Sequence, residues 1–196
     1  MKRIFFAACV SAMMLLGTNA FAQWNVGGGF VQTRFGGADN YFKTDIPGFY
    51  FGLSYDFAFS PLEGLTFEPG LYYMHFGKKI SYEVGGVQFL EQSYKANYLS
   101  MPLHLKYSYE FDPVFKLTAY TGPRLNFGFW GSAFKREGGM GLSNFDAQWG
   151  VGVAGTFARA IRLGFGYDFG MNKMLKENRE AKVRRNMLYV NLSFLF

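Results

Sequence analysis

Apolar side chains occupy every second position in long segments of this chain. Between Leu99 and Phe111 the odd positions are all apolar, whereas the even positions are small or polar and include His104, Lys106 and Glu110. Because successive side chains of a β-strand point to opposite faces, this period predicts strands with one apolar and one polar face. The pattern recurs in eight segments, which are 24–33, 49–59, 65–74, 97–111, 115–129, 145–157, 161–171 and 187–196.

The links between these segments alternate in length. Short links follow the second, fourth and sixth segments, at 60–64, 112–114 and 158–160, and two of them contain proline. The other links are long and polar. Short turns at one end and long loops at the other are typical of outer-membrane barrels, in which the turns face the periplasm. An even number of strands then places both chain termini on the periplasmic side.

The apolar faces carry more large side chains than an eight-stranded barrel can enclose. Such a barrel has an interior just wide enough to be filled by side chains. The opposite faces are rich in glycine, namely Gly27, Gly29, Gly52, Gly70, Gly122, Gly128, Gly150, Gly152, Gly164, Gly166 and Gly170. Small residues fit inside, so the apolar faces point outward into lipid, because so large an apolar surface would aggregate in water.

The sequence therefore predicts an all-β fold, a closed eight-stranded antiparallel transmembrane β-barrel. Closure follows because a sheet in hydrocarbon cannot leave unpaired edges. A soluble sandwich is the alternative, but it requires polar outer faces, and the apolar run at Phe49, Phe51 and Leu53 contradicts that requirement.

The first 22 residues have the pattern of a secretory signal. Lys2 and Arg3 precede an apolar run from Ile4 to Gly17, and the segment ends in Ala20-Phe21-Ala22. This pattern predicts cleavage after Ala22. We therefore expect residues 1–22 to be a cleaved signal peptide and residues 23–196 to be one barrel domain. The single cysteine, Cys9, lies in the predicted signal, so disulfides and thiol chemistry are excluded for the mature chain.

Charged residues on the inward faces form the main candidate site. We expect them to pair, because an isolated charge in a confined interior is costly. The predicted network consists of Asp56, Glu68, Lys106, Glu110, Lys116, Arg124, Asp146, Arg162 and Asp168.

Turn geometry gives this network a register. Glu110 is expected to face Lys116, and Asp56 to face Glu68 with Lys106 as the cation between them. Arg124 and Asp146 are a further predicted pair.

Two prolines, Pro102 and Pro123, fall inside predicted strands. Neither can donate a ladder hydrogen bond, and a closed barrel has no free edge to accommodate them. The same register places Pro102 opposite Arg124. We expect a bulge or a missing hydrogen bond there.

The last long link, 172–186, is rich in cations. Its candidate contacts to lipopolysaccharide phosphates are Lys173, Lys176, Arg179, Lys182, Arg184 and Arg185. An ordinary solvated loop is the alternative. Outer-membrane lipid and lipopolysaccharide are thus the expected partners, and no nucleic acid is expected, because the charge of +6 falls to +4 once Lys2 and Arg3 are removed.

No catalytic, cofactor or metal motif stands out. His75 and His104 are the only histidines. Ser100 and His104 share a strand face, but their spacing corresponds to roughly 13 Å at strand rise, too far for a nucleophile and its base. The glycines at 27–29 lack the strand–loop–helix context of a nucleotide site.

Several short motifs together resemble a known family. They are Asn97–Leu103, Gly122-Pro123, Glu68–Leu71 and Gly150–Gly152. These motifs resemble the small Gram-negative outer-membrane β-barrel family often labelled PorT-like or porin family. The terminal Leu192–Phe196 is similar to the signal, ending in an aromatic residue, by which the barrel-assembly machinery recognises its substrates, so Phe196 is the expected contact. The resemblance implies a fold and a location, but it implies no active site.

The expected function is a non-enzymatic outer-membrane barrel with a plugged polar interior, whose loops serve surface or envelope interactions. Two alternatives remain open: a narrow porin-like channel for small solutes and a lipid A-modifying outer-membrane enzyme.

Overall fold

In the described part of the chain, eight antiparallel strands form one closed barrel. The computed structural model describes residues 23–36, 45–59, 62–84, 87–134, 142–174 and 183–196, with side chains except at 79–94. The predicted signal peptide lies outside these residues. The strands are β1 (Gln23–Gly36), β2 (Ile46–Ala58), β3 (Leu65–Val84), β4 (Val87–Glu110), β5 (Phe115–Trp130), β6 (Phe145–Phe157), β7 (Ile161–Gly170) and β8 (Arg184–Leu195).

Each strand pairs with its sequence neighbours, and β1 pairs with β8 to close the barrel. Reciprocal backbone hydrogen bonds join Trp24 and Phe196 at the end of this closing ladder. The predicted fold class is therefore confirmed. No helix in the described residues is long and apolar enough to cross a membrane.

The two faces of each strand have the predicted orientation. In β2, Phe49, Phe51 and Leu53 are 44–56% exposed, whereas the alternate residues Tyr50 and Ser54 are 4% and 1% exposed. The exposed apolar belt continues around the barrel, for example through Val151 and Phe165. Lipid is the environment that such a belt requires, because a surface patch of this size is not stable in water.

The β6–β7 turn is the tightest of the short connections. Ala158 and Arg159 have φ values of 48° and 57°, the left-handed backbone of a two-residue hairpin turn. Glycine fills the comparable position in the β2–β3 turn, where Gly64 has a φ of 83°. These turns fix the register of the hairpins.

Strands β3 and β4 are longer than predicted. Their pairing continues beyond the level of Phe76 and Ala96 to Val84 and Val87, with a register irregularity between Ile80 and Tyr82. The sequence pattern predicts β3 only to Met74 and β4 only from Asn97, because Gly77, Lys78 and Lys79 interrupt the alternation. The hairpin thus extends past the level at which neighbouring strands end.

Proline interrupts the ladders as expected. Pro102 lies opposite Arg124, and pairing resumes at Leu105 with Thr121, so the ladder is broken between these points. A further break in the β3–β4 ladder follows Pro69, which lies opposite Leu103. The interruptions therefore lie side by side on β3, β4 and β5.

Candidate functional site

The interior of the barrel contains two buried groups of charges and a buried ion pair near the loops. The first group, which we call the lower layer, consists of Asp56, Glu68, Lys106 and Arg162 near the turn end. The second, the middle pair, is Arg124 with Asp168. The third, the upper pair, is Arg185 with Asp146. All eight side chains are at most 11% exposed.

Two cations balance two carboxylates in the lower layer. Lys106 Nζ lies 2.9 Å from Asp56 Oδ1 and also contacts Glu68. Arg162 Nη2 lies 3.1 Å from Asp56 Oδ2, and its Nη1 lies 4.0 Å from Glu68 Oε2. Ser54 donates a hydrogen bond to Glu68, and Tyr72 donates one to Ser54. The structure thus places Lys106 between the two acids, as the register predicted, and adds Arg162.

The middle pair differs from the predicted pairing. Arg124 Nε lies 2.7 Å from Asp168 Oδ2, so Arg124 does not pair with Asp146. The guanidinium also lies 4.8 Å from the centre of the Tyr189 ring. Strand alternation identifies which side chains point inward, but it does not identify which of them meet across the lumen, and Asp168 on β7 reaches Arg124 there.

The upper pair corrects one predicted contact of the last loop. Arg185 was expected to face lipopolysaccharide, but it lies within β8, fully buried, with Nη2 2.6 Å from Asp146 Oδ2. Its guanidinium lies 4.5 Å from the Tyr98 ring centre and 5.2 Å from that of Phe76. β8 begins at Arg184, three residues earlier than predicted, and this brings Arg185 onto the inward face.

The other cations of that loop have different positions. Arg184 is exposed, and Lys173 lies in the described residues next to the end of β7. Lys176, Arg179 and Lys182 lie outside the described residues. Contact between this loop and lipopolysaccharide therefore remains a prediction.

Glu110 and Lys116 lie at the turn end instead of deep in the interior. They are opposite each other in the β4–β5 register, as predicted. Glu110 is 47% exposed, and its carboxylate is bound by Arg159 Nη2 at 2.9 Å, whereas Lys116 is half-buried. Both line an open vestibule that consists of two adjoining cavities of about 540 and 500 Å³, which share Gln23, Glu110 and Lys116.

An apolar plug closes the opposite half of the interior. It consists of Met74, Phe76, Tyr98, Phe134, Leu142, Met174 and Met187, each at most 9% exposed. Loop segments supply three of these residues and are tied together by backbone hydrogen bonds, from Leu142 N to Ala133 O and from Ser143 N to Met174 O. No sequence pattern predicts this plug, because loop residues have no fixed alternation.

Between the vestibule and the plug, the structure shows a small interior space. A cavity of about 40 Å³ lies among Glu68, His104, Lys106 and Arg124. His104 is buried beside Tyr120, with ring centres 5.0 Å apart. Ser100, the other residue of the weighed catalytic pair, is buried and accepts a hydrogen bond from Arg124 at 3.4 Å. Both side chains therefore belong to the packed interior.

The chain has one family match and several structural neighbours. A family model described as outer membrane protein beta-barrel domain matches residues 17–176. No curated protein sequence matches the chain.

Among solved structures, the outer-membrane enzyme PagL has a TM-score of 0.57 at 15% identity, with 86% of this chain and 97% of that chain covered. The Yersinia pestis attachment invasion locus protein Ail, solved with the heparin analogue sucrose octasulfate, has a TM-score of 0.53 at 12% identity, with 89% and 99% covered. The Pseudomonas aeruginosa outer membrane protein OprG has a TM-score of 0.51 at 13% identity, with 90% and 97% covered. Identities this low indicate a shared fold only.

Proposed function

Because the chain belongs to the outer membrane protein beta-barrel domain family, we propose that it is a non-conducting, non-enzymatic barrel that serves interactions at the cell surface or within the envelope. It lies in the outer membrane of a Gram-negative cell, and export by a cleaved signal peptide is part of the proposal. The proposal also includes membership of the PorT-like group, contact of the last loop with lipopolysaccharide, and recognition of Phe196 by the barrel-assembly machinery.

The observation that carries the proposal is double closure of the lumen. From the turn end, the vestibule stops at the lower layer, where Lys106 and Arg162 bind Asp56 and Glu68. From the loop end, the apolar plug covers the upper pair. A solute would have to break a buried ion cluster and displace packed aromatic side chains, and each step costs several kcal/mol.

Planar-bilayer recording tests this proposal against the narrow-channel alternative. We expect the purified protein to give no steady unit conductance. Lys106→Ala with Glu68→Ala, which removes the turn-end closure, and Phe76→Ala with Phe134→Ala, which removes the loop-end closure, should also stay silent, because the other closure and the middle pair remain. A stable conductance from the unaltered protein would overturn the proposal.

The enzyme alternative has a separate test. The buried positions of Ser100 and His104 support the non-enzymatic proposal, because neither side chain faces the lipid surface where a lipid A substrate lies. Mass spectrometry of lipid A from cells with and without the protein should give identical acyl patterns. A missing or additional acyl chain that depends on the protein would show that it modifies lipid A.

A further inference from the structure

We propose that the outer wall of the barrel binds the phosphate headgroup of an outer-leaflet lipid at a patch formed by His75, Lys95, Asn97 and Trp130, which we call the wall patch. The patch lies on the lipid-facing side of β3, β4 and β5, at the level where β5 ends and the β3–β4 hairpin continues. The proposal goes beyond the proposed function, which concerns the closed lumen, and either one stands if the other fails.

Asn97 is the centre of the wall patch. It lies directly opposite His75 on β3 and Trp130 on β5, on the same strand face as Leu99 and Met101. Yet Asn97 is only 9% exposed, because its neighbours cover it. A buried amide that faces lipid is destabilising unless its polar atoms form hydrogen bonds. The side chains around Asn97 are therefore expected to supply its partners.

The hydrogen bonds of Asn97 fix the orientation of the His75 ring. Asn97 Nδ2 donates to the carbonyl of Trp130 at 2.9 Å, which assigns Oδ1 as the acceptor. That oxygen accepts from Tyr73 Oη at 2.6 Å and lies 2.7 Å from His75 Nδ1. His75 Nδ1 therefore carries a proton. In the described residues Nε2 has no hydrogen-bond partner, so it is the ring nitrogen left for a ligand.

Lys95 supplies the positive charge. It lies two residues before Asn97 on the same face, opposite Gly77, which has no side chain to cover it. Lys95 is exposed, and its ammonium forms no ion pair within the described ranges. Gly77 therefore separates Lys95 from His75 on this face without a side chain of its own.

Another cation at the same end of the barrel is already neutralised. Arg34 binds Asp45 through two hydrogen bonds of 2.6 and 2.9 Å, and the hydrogen bond from Arg34 lowers the pKa of the Asp45 carboxyl. Gln32 adds a third bond to the same carboxylate. Arg34 is thus neutralised by a carboxylate of the same protein, whereas the charge of Lys95 is available to an anion that the protein does not supply.

The membrane side of the wall patch is an aromatic surface. Tyr73 packs against Phe51 and Phe129 with ring centres 5.3 and 6.2 Å apart, and the His75 ring lies 5.3 Å from that of Phe49. Trp130, 71% exposed, borders the patch at the interface, where tryptophan is enriched. A ligand that matches this arrangement has acyl chains on the aromatic side and an anionic oxygen group at Lys95 and His75.

Tryptophan fluorescence tests the proposal. Trp24→Phe with Trp149→Phe leaves Trp130 as the only tryptophan of the mature chain. This variant is reconstituted in phosphatidylcholine vesicles that contain a minor fraction of brominated phosphatidic acid or, in parallel, of brominated phosphatidylcholine. We expect the phosphatidic acid to be preferred at Trp130 by roughly two- to fivefold, the range for one partly exposed ion pair.

Substitutions in the patch should remove that preference. Lys95→Gln and His75→Phe are expected to lower it to near unity, and Lys95→Arg should retain it. Arg184→Gln, which removes an exposed cation at the loop end of β8, is the matched control and should leave it unchanged. The gel mobility of the folded barrel checks that each variant has folded.

Three results would overturn the proposal. The first is equal quenching by the two brominated lipids in the parent. The second is an equal loss in Arg184→Gln, which would indicate a general effect of surface charge. The third is displacement of the lipid by inorganic phosphate, which would show that the patch binds free phosphate without requiring acyl chains.

Discussion

At the scale of single residues, the interior is held by exact matching of charge. The lower layer contains two carboxylates and two cations, and the middle and upper pairs contain one of each. Each of these charged side chains is needed for stability mainly because its partners are buried and would be unpaired without it. Removing one member of such a cluster leaves an uncompensated charge, which costs more than the intact cluster contributes to stability.

Glu68→Ala should therefore destabilise the folded barrel by about 3–5 kcal/mol. Lys106 and Arg162 would then share only Asp56, and Ser54 would lose its acceptor. Urea unfolding in detergent measures the effect. Glu68→Gln removes the charge but keeps the shape of the side chain, so it separates the two contributions to stability. Glu63→Ala, on the exposed β2–β3 turn, is the control and should change the unfolding midpoint little. An unfolding midpoint for Glu68→Ala equal to that of the unaltered protein would contradict the role of the lower layer.

The sequence predicted which residues lie in the interior better than it predicted their partners. Register along adjacent strands follows from short turns, so Lys106 between Asp56 and Glu68 was accessible to sequence reasoning. Arg124 with Asp168 was not, because this contact crosses the lumen between β5 and β7, which are not adjacent. The sequence predicts a loop at Arg185, because no pattern marks where a charged loop becomes a strand.

At the scale of elements, glycines on the inward faces of β6 and β7 make space for large side chains from other strands. A Cβ atom on Gly166 would lie 2.4 Å from the Tyr189 ring and 2.7 Å from Tyr120 Oη. One on Gly152 would lie 2.3 Å from Tyr120. These glycines therefore determine how far Tyr120 and Tyr189 reach across the barrel.

Gly166→Ala should cost about 1–3 kcal/mol, the range for overpacking a filled interior. The added methyl group would displace Tyr189 and Tyr120, since real Cβ atoms do not approach other atoms so closely. Gly155→Ala is the matched control on the lipid-facing side of β6, where the nearest atom is Phe115 Cε2 at 3.1 Å on a movable side chain. Equal unfolding midpoints for the two variants in detergent would show that the interior is not tightly packed there.

Strand boundaries were predicted well wherever turns are short. The predicted bounds of β6 are those observed, and the start of β7 at Ile161 was also correct. The extension of β3 and β4 was missed because Gly77, Lys78 and Lys79 interrupt the alternation, although Ile80, Tyr82 and Val84 resume it beyond them. The plug formed by Phe134, Leu142 and Met174 was missed for a related reason, since loop residues are placed by tertiary packing alone.

At the scale of the whole molecule, the barrel depends on lipid. Its outer surface is apolar at every strand, and the ladder between β1 and β8 closes the barrel. A charge placed in the middle of that belt should be destabilising to an extent that depends on its depth in the membrane.

Val151→Lys should reduce the stability of the barrel in lipid vesicles by about 2–4 kcal/mol, because Val151 is 41% exposed and lies midway along β6. Val114→Lys, the same change in the exposed β4–β5 turn, should have little effect. Unfolding titrations of both proteins in the same vesicles give the comparison. Equal stability would show that the belt around Val151 does not contact hydrocarbon.

The vestibule and the plug make the two ends of the barrel different. In the described part of the chain, the lumen opens at the turn end, toward the periplasm, and is filled by the plug at the loop end, so the two sides of the membrane meet chemically different surfaces of one protein. We expect a water-soluble amine reagent to reach Lys116 through the vestibule, whereas the buried charges and the plug lie between Lys116 and the loop end. Molecules outside the cell therefore meet the plug end and the outer wall of the barrel, whereas molecules in the periplasm meet the vestibule that leads to the lower layer.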